Sequence, residues 1–205
     1  MLQKFKETIL AIPAIYSLVQ WLFGTTAGQR KLLAYMDVSD GQTVLDVGCG
    51  TAIILEHLPD VHYHGYDSNE DYLSTARKKY THRRAVFNNS LVSSTTLPEQ
   101  LAGKCDHVLA LGLFHHLSDE DCKIVLDLAF AALKAGGRFV SIDPVFIDDQ
   151  NCVAKMLVGA DRGRHVRHEN KLTELIQAHF RGSCSFHREN LTHLPYNSMV
   201  AVGLK

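Results

Sequence analysis

Short apolar runs that alternate with helical stretches constrain this chain more than any other feature. Residues 43–47, 63–67, 85–87, 107–113 and 138–142 read as strands. Between them, residues 53–58 (stopped by Pro59), 69–79 and 119–133 read as helices. Ser68 or Asn69 caps the second of these, Ser118 caps the third, and Gly136 stands just past the third one's end. Runs that are almost wholly apolar belong to strands buried on both faces, so the alternation predicts βαβ units and a parallel sheet between helices. The C-terminal part differs. Residues 170–180 read as a helix, and residues 184–190 and 199–204 as strands joined by a turn at Pro195-Tyr196-Asn197. So short a connection pairs strands antiparallel, because a parallel crossover needs a dozen or more residues. The expectation is an α/β fold with a mostly parallel sheet and one reversed strand near an edge.

The 205 residues suit one domain with an appendage. The reading places an α/β domain over 37–205 and a helical N-terminal cap over 1–36, its helices 2–23 and 27–36 parted by Gly24-Thr25-Thr26. A hydrophobic fraction of 46% supplies a sizeable core, and a formal net charge of −1 argues against nucleic acid as the main partner. Nothing in the sequence sets an oligomeric state. The 5 cysteines form no C-x-x-C pair and no zinc spacing, so free thiols and the cytoplasm are expected. Residues 9–23 are apolar and follow Lys4 and Lys6, but Pro13, Ser17 and Gln20 interrupt them and Glu7 is unwelcome in a signal sequence. They read as an amphipathic helix covering the domain, with a membrane-surface role the less favoured reading.

The densest signal is Val44-Leu45-Asp46-Val47-Gly48-Cys49-Gly50-Thr51-Ala52, where a strand runs into Gly-x-Gly and a helix is expected to follow. Glycines there let the backbone turn sharply and let a ligand approach the main chain. Open α/β sheets bind ligands beyond the carboxyl ends of their strands, where this loop sits, and Asp67 ends the next strand, where an acid can accept ribose hydroxyls. The dinucleotide fingerprint G-x-G-x-x-G is incomplete, because its third glycine position is Ile53. Asp46, two residues before Gly48, would repel a diphosphate and suit a ligand bearing an ammonium or sulfonium cation. A dinucleotide-dependent oxidoreductase and a non-catalytic cofactor-binding module are the competing readings.

Asp46-Val47-Gly48-Cys49-Gly50-Thr51 resembles motif I of the class I S-adenosylmethionine-dependent methyltransferases. Asp67 resembles that family's ribose-binding acid. Cys105-Asp106-His107-Val108-Leu109-Ala110 through His115-His116-Leu117 is similar to its fourth-strand motif, and Leu133-Lys134-Ala135-Gly136-Gly137-Arg138-Phe139 to the turn before its fifth strand. The resemblance spans about residues 40–145 in the family's order. It implies a Rossmann-like seven-stranded sheet in order 3-2-1-4-5-7-6 with strand 7 antiparallel, a bound S-adenosyl-L-methionine, and methylation of a small molecule at oxygen or nitrogen. Carried over residue by residue, the cofactor-binding positions are Asp46, Gly48, Cys49, Gly50, Asp67, Ser68, Asn89, Leu111, Gly112 and Leu113. Tyr16 or Arg30 of the cap would reach the cofactor carboxylate. Where many members carry an aspartate against the adenine, this chain has Asn88-Asn89-Ser90, and an asparagine oxygen accepts the same hydrogen bond.

Methyl transfer needs chiefly alignment, and a base only where the acceptor arrives protonated. His115 and His116 end the fourth strand beside the expected methyl position and are the candidate bases, His116 slightly preferred. Asp143, read as following the fifth strand, would orient a histidine or bind substrate. No metal is expected, because Leu113-Phe114-His115-His116 offers no carboxylate for magnesium. Arg162, Arg164 and Arg167 form the strongly basic stretch, which would suit an anionic substrate or ion pairs with Asp148, Asp149 or Asp161.

Overall fold

The computed structural model describes residues 25–90, 97–161, 163–181, 183–192 and 195–205. Helix α1 (Thr25–Met36) leads into strand β1 (Thr43–Val47), a single 3-10 turn (Ile53–Glu56), β2 (His62–Asp67), α2 (Glu70–Lys79) and β3 (Ala85–Asn89). Strand β4 (Cys105–Leu111), a second 3-10 turn (Phe114–His116), α3 (Asp119–Ala132) and the long β5 (Leu133–Phe146) follow. The chain ends with α4 (Cys152–Gly159), the two-residue β6 (Arg167–His168), α5 (Glu169–Phe180), β7 (Cys184–Asn190) and β8 (Asn197–Leu204).

The sheet runs β3-β2-β1-β4-β5-β8-β7, with β6 paired to β5 off this path. Strands β1 to β5 are parallel and β8 is antiparallel to both of its neighbours. Setting aside the short β6, this is the expected order with the expected reversed strand. Both faces are covered. Phe114, Phe139 and Phe180 pack with α3 and α5 on one side, and Leu32, Met36, Tyr63 and Leu73 with α1 and α2 on the other. The part of the expected cap that forms α1 is therefore built into the main core. Residues 1–24, with Tyr16, lie outside the described residues. Among the described residues no helix is long and apolar enough to cross a membrane.

Local chemistry explains most boundaries. The Asn69 side chain accepts from the N–H groups of Asp71 and Tyr72 and so starts α2, whose first turn is acidic and last turn basic. Ser118 accepts from the N–H of Asp121 at 3.1 Å and starts α3. Four expectations are corrected. The helix expected after the glycine loop is only the 3-10 turn, because Ala52 in the left-handed region (φ 54) and Pro59 leave room for no more. Gly136 does not cap α3, which passes at Leu133 straight into β5; Gly136 (φ 75) lies inside that strand. Asp143 does not follow β5 but lies within it. Pro144 lies past the end of the β4 pairing, which stops at Ile142, and faces Ser198 of β8 on its other side. Helix α4, capped by Asn151, was not expected at all.

Gly203 of β8 faces the aromatic stack in which Phe139 and Phe180 lie 5.1 Å apart, and a Cβ there would come within 2.6 Å of Phe180 Cγ. Gly203→Ala should destabilise the fold by about 1–3 kcal/mol through overpacking. Urea denaturation checks this, and unchanged stability would show that the stack yields freely.

Candidate functional site

The tips of β1, β2, β4 and β5 lie along one edge of the sheet, and the candidate residues gather there. After Val47 the chain turns through Gly48 (φ 74), Gly50 (φ 55) and Ala52 (φ 54). Its amides are turned inward. The N–H groups of Gly48 and Cys49 both reach the Tyr66 carbonyl, at 2.7 and 3.0 Å, and that of Ala52 reaches the Cys49 carbonyl at 2.8 Å. The Gly50 N–H donates to Asp67 Oδ2 at 2.9 Å, while Asp67 Oδ1 accepts from the Asn69 N–H at 2.8 Å. Asp67 thus ties the glycine loop to the start of α2. A Cβ on Gly50 would meet nothing within 4 Å, so its outer face is open, whereas Gly48 lies against the Leu113 side chain.

Asp46 is 2% exposed and accepts from the Tyr63 hydroxyl, but its Oδ1 has no partner. Burial pushes its carboxyl up to about 7, against the opposing effect of the Tyr63 bond and with help from the Asp67 charge. Burial likewise raises the Cys49 thiol well above its ordinary value, which keeps it protonated. Asn89 is exposed and donates to Glu70 Oε2 at 2.9 Å, Asn88 pairs with Tyr66 across the ladder, and the Ser90 N–H binds the Asp67 carbonyl at 3.0 Å. Ser68 stands between Asp67 and the Asn69 cap, and Arg30 is exposed on α1.

At the neighbouring tips, Leu111 ends β4 and Gly112 (φ 69) bends the chain into the second 3-10 turn, its N–H held by the Ile142 carbonyl at 2.7 Å. This bend brings His115 over Asp143. The imidazole Nδ1 lies 2.7 Å from Asp143 Oδ1, which also accepts from the His115 backbone N–H at 3.0 Å. Asp143 is 2% exposed, and burial raises its carboxyl despite His115. His116 is exposed, its ring centroid 4.0 Å from that of His115.

Two further residues join this cluster that the sequence reading did not place there. Asp161 Oδ1 lies 3.4 Å from His115 Nε2, and Asp161 Oδ2 accepts from the Tyr196 hydroxyl. The Gly163 N–H donates to Asp161 Oδ1 at 2.7 Å, an Asx turn that Asp161-Arg162-Gly163 could have signalled. Arg167 does not face an anion site. Its guanidinium binds Asp119 at 2.8 Å and the carbonyls of Phe114, Leu117 and His165 at 2.7, 2.7 and 3.0 Å. Arg162 lies outside the described residues.

Residues 45–139 match the model of a methyltransferase domain family. Several solved structures share the fold. Phosphoethanolamine N-methyltransferase 2 of Haemonchus contortus, solved with phosphomonomethylethanolamine and S-adenosylhomocysteine, superposes with a TM-score of 0.68 at 14% identity over 86% of this chain. The chain spans only 52% of that enzyme. A protein taken as a methyltransferase, in complex with the Haloferax volcanii activator Trm112, superposes with a TM-score of 0.70 at 16% identity over 95% of both chains. YcgJ of Bacillus subtilis gives 0.66 at 14% identity, over 87% of this chain and 97% of its own. At such identities the likeness is one of fold. No curated protein matches the sequence.

The Asp46 carboxyl gives the site a pH dependence. Its pKa rises from the ordinary 3.8 to about 7 on folding, so the folded state holds that proton more tightly. Its stabilising contribution is whole below about 3.8 and is lost as pH rises through 7. Relative to Asp46→Asn, the native chain should therefore lose up to about 1.4 kcal/mol per pH unit across that window. Chemical denaturation of both proteins at several pH values checks this, and a constant difference would refute it.

Proposed function

We propose that this chain, whose residues 45–139 form a methyltransferase domain of the class I S-adenosylmethionine-dependent kind, transfers a methyl group to a small-molecule oxygen or nitrogen acceptor and releases S-adenosylhomocysteine. The cofactor would lie across the tips of β1 and β2, and the acceptor beyond those of β4 and β5. The observation that carries this reading is the glycine loop with its amides turned inward beside two carboxylates. A diphosphate needs outward-facing N–H groups and the N-terminus of a helix behind them. Here the amides of Gly48, Cys49, Gly50 and Ala52 are occupied, only one 3-10 turn follows, and Asp46 and Asp67 stand at the edge. That argues against the dinucleotide-dependent oxidoreductase.

The residues present fit the cofactor. Asp46 keeps a buried oxygen without a partner, which an ammonium donor would satisfy while holding the carboxylate ionised. The open face of Gly50 admits a ligand close to the main chain, and the second lone pairs of Asp67 suit ribose hydroxyls. Asn88, Asn89 or Ser90 at the tip of β3 stands where the adenine would be met. Leu113, packed on Gly48, would border the reacting carbon. When bound, S-adenosylmethionine supplies an electrophilic methyl group on a sulfonium. The chain's own task is to align the acceptor and take its proton, and His115, His116 and Asp143 form the edge that does so. With Arg167 engaged inside the protein, the basic stretch lends little support to an anionic acceptor.

Calorimetry should show uptake of S-adenosylmethionine by the native chain and none of NADH; the reverse preference would overturn the reading. Asp67→Ala removes hydrogen bonds worth about 1.5–3 kcal/mol, so affinity for S-adenosylmethionine should fall about 10- to 100-fold. A panel of alcohols, phenols and amines, followed by S-adenosylhomocysteine release, then sorts the acceptor classes.

A further inference from the structure

Helix α4 is apolar on both of its faces. Ala154 and Val158, one turn apart, are buried against the domain. Val153, Met156 and Leu157 keep the same helical spacing on the outer side, where Val153 is 48% and Met156 65% exposed. Lys155 is the one charged residue within the helix. A helix that is apolar all round belongs in an interior. The other large apolar side chains exposed among the described residues are scattered over β3, α3 and β8, and scattered ones need no cover.

The corner of the domain where α4 starts is also where residues 1–24 join it. Helix α1 begins at Thr25 and runs beside β7. Gly28 lies against Leu191, so closely that a Cβ would fall 2.5 Å from the Leu191 carbonyl oxygen. Lys31 Nζ donates to the Asn190 carbonyl at 3.5 Å, and the Tyr35 hydroxyl donates to Glu189. The first turn of α1 therefore stands at the end of β7. There Asn190 pairs with Asn197 of β8, and Asn197 Oδ1 accepts from Gln150 Nε2 at 3.0 Å. Gln150 immediately precedes Asn151, the cap of α4. With an extended residue spanning about 3.3–3.6 Å and α4 being about 12 Å long, the preceding segment has ample length to lie along the helix. Its composition matches the surface. Residues 9–23 hold no Asp, Glu, Lys or Arg, and only Pro13, Ser17 and Gln20 interrupt the apolar run. An anionic lipid surface would call for a basic rim. Instead Asp148 and Asp149, with side chains 92% and 76% exposed, stand just before α4.

We propose that the outer face of α4 is the docking surface for this chain's own residues 9–23, whose apolar side chains cover Val153, Met156 and Leu157. Helix α4 leads directly into Asp161, which lies 3.4 Å from His115 Nε2. A segment seated on α4 thus borders the edge that carries the histidines. Calling that edge the acceptor side rests on the methyl-transfer reading; the docking does not.

Trp21 is the single tryptophan of the chain and lies within the segment, so the intrinsic fluorescence of the full chain reads the docking. Native protein should show the emission of a tryptophan shielded from water. Met156→Asp should shift it to the red, whereas Ile124→Asp, at an exposed position on α3, should leave it in place. Met156 is mostly exposed, so the aspartate fits without unfolding the domain, which far-ultraviolet circular dichroism checks. A water-exposed emission in native protein, or the same emission in Met156→Asp, would overturn the proposal. Proximity is tested through Cys152, exposed in the first turn of α4 one turn before Met156. Cysteines are placed singly by Ile12→Cys, Ile15→Cys, Leu18→Cys and Leu22→Cys, and the full chain is oxidised with diamide. At least one should form a disulfide to Cys152 within the same chain, located by peptide mass. If none forms, the docking is refuted. Links found only between chains would assign the face to a second copy, and a blue shift seen only with phosphatidylglycerol vesicles would assign it to a membrane; either result also refutes the proposal. None of these measurements needs cofactor or acceptor. Failure to bind S-adenosylmethionine would sink the functional reading and leave the docking standing.

Discussion

The tip of β2 governs the edge of this sheet. Through the Tyr66 carbonyl and the Asp67 carboxylate it takes three successive amides of the glycine loop, those of Gly48, Cys49 and Gly50. A loop whose amides point outward is an anion cradle; the same loop with its amides turned in presents carbonyls, open glycine faces and the neighbouring acids. The electrostatic character of the edge is therefore decided by strand pairing rather than by any single charged side chain. Asp46, buried beneath the loop with one oxygen unmatched, bears the cost of that burial in a carboxyl pushed up to about 7.

The other half of the edge depends on a difference in strand length. β4 stops at Leu111, while β5 continues to Phe146. The overhang carries Asp143 past the last paired residue, and the bend at Gly112 folds the chain back so that His115 meets it. Pro144 and the change of partner, from β4 on one side to β8 alone, mark the same place. A buried carboxylate under an imidazole is costly unless it is paired; the two contacts from His115 pair one oxygen of Asp143, while its Oδ2 has no partner and burial holds the carboxyl up.

The fold was legible because short strand-like runs, β4 almost wholly apolar among them, alternate with helices and the terminal strands are too close for a crossover. Those are local signals, and local physics sets them. The glycine loop, Asp46 and Asp67 were legible for the same reason. The misreadings also have local causes. Ile53-Ile54-Leu55-Glu56 has helical composition, but only the backbone of Ala52 reveals that the turn starts from a left-handed residue. Gly136-Gly137 reads as a turn, yet the strand runs through it, because Gly137 lets the Cys105 and Lys134 carbonyls approach to 3.0 and 2.9 Å of where a Cβ would be. The contacts of Asp161 with His115 and Tyr196 join three segments far apart in the chain. No periodicity or spacing carries that information, because packing alone brings them together.

The basic stretch shows how charge in a sequence misleads when its partners are structural. Arg167 looks like a ligand for an anion, but its side chain is only 8% exposed and its donors end on Asp119 and on carbonyls of the turn carrying the histidines. A buried guanidinium with five donors in a fixed fork serves several carbonyls at once, here those of Phe114 and Leu117 on either side of the histidines. The arginine is thus part of the scaffold that holds His115 and His116 at the strand tip.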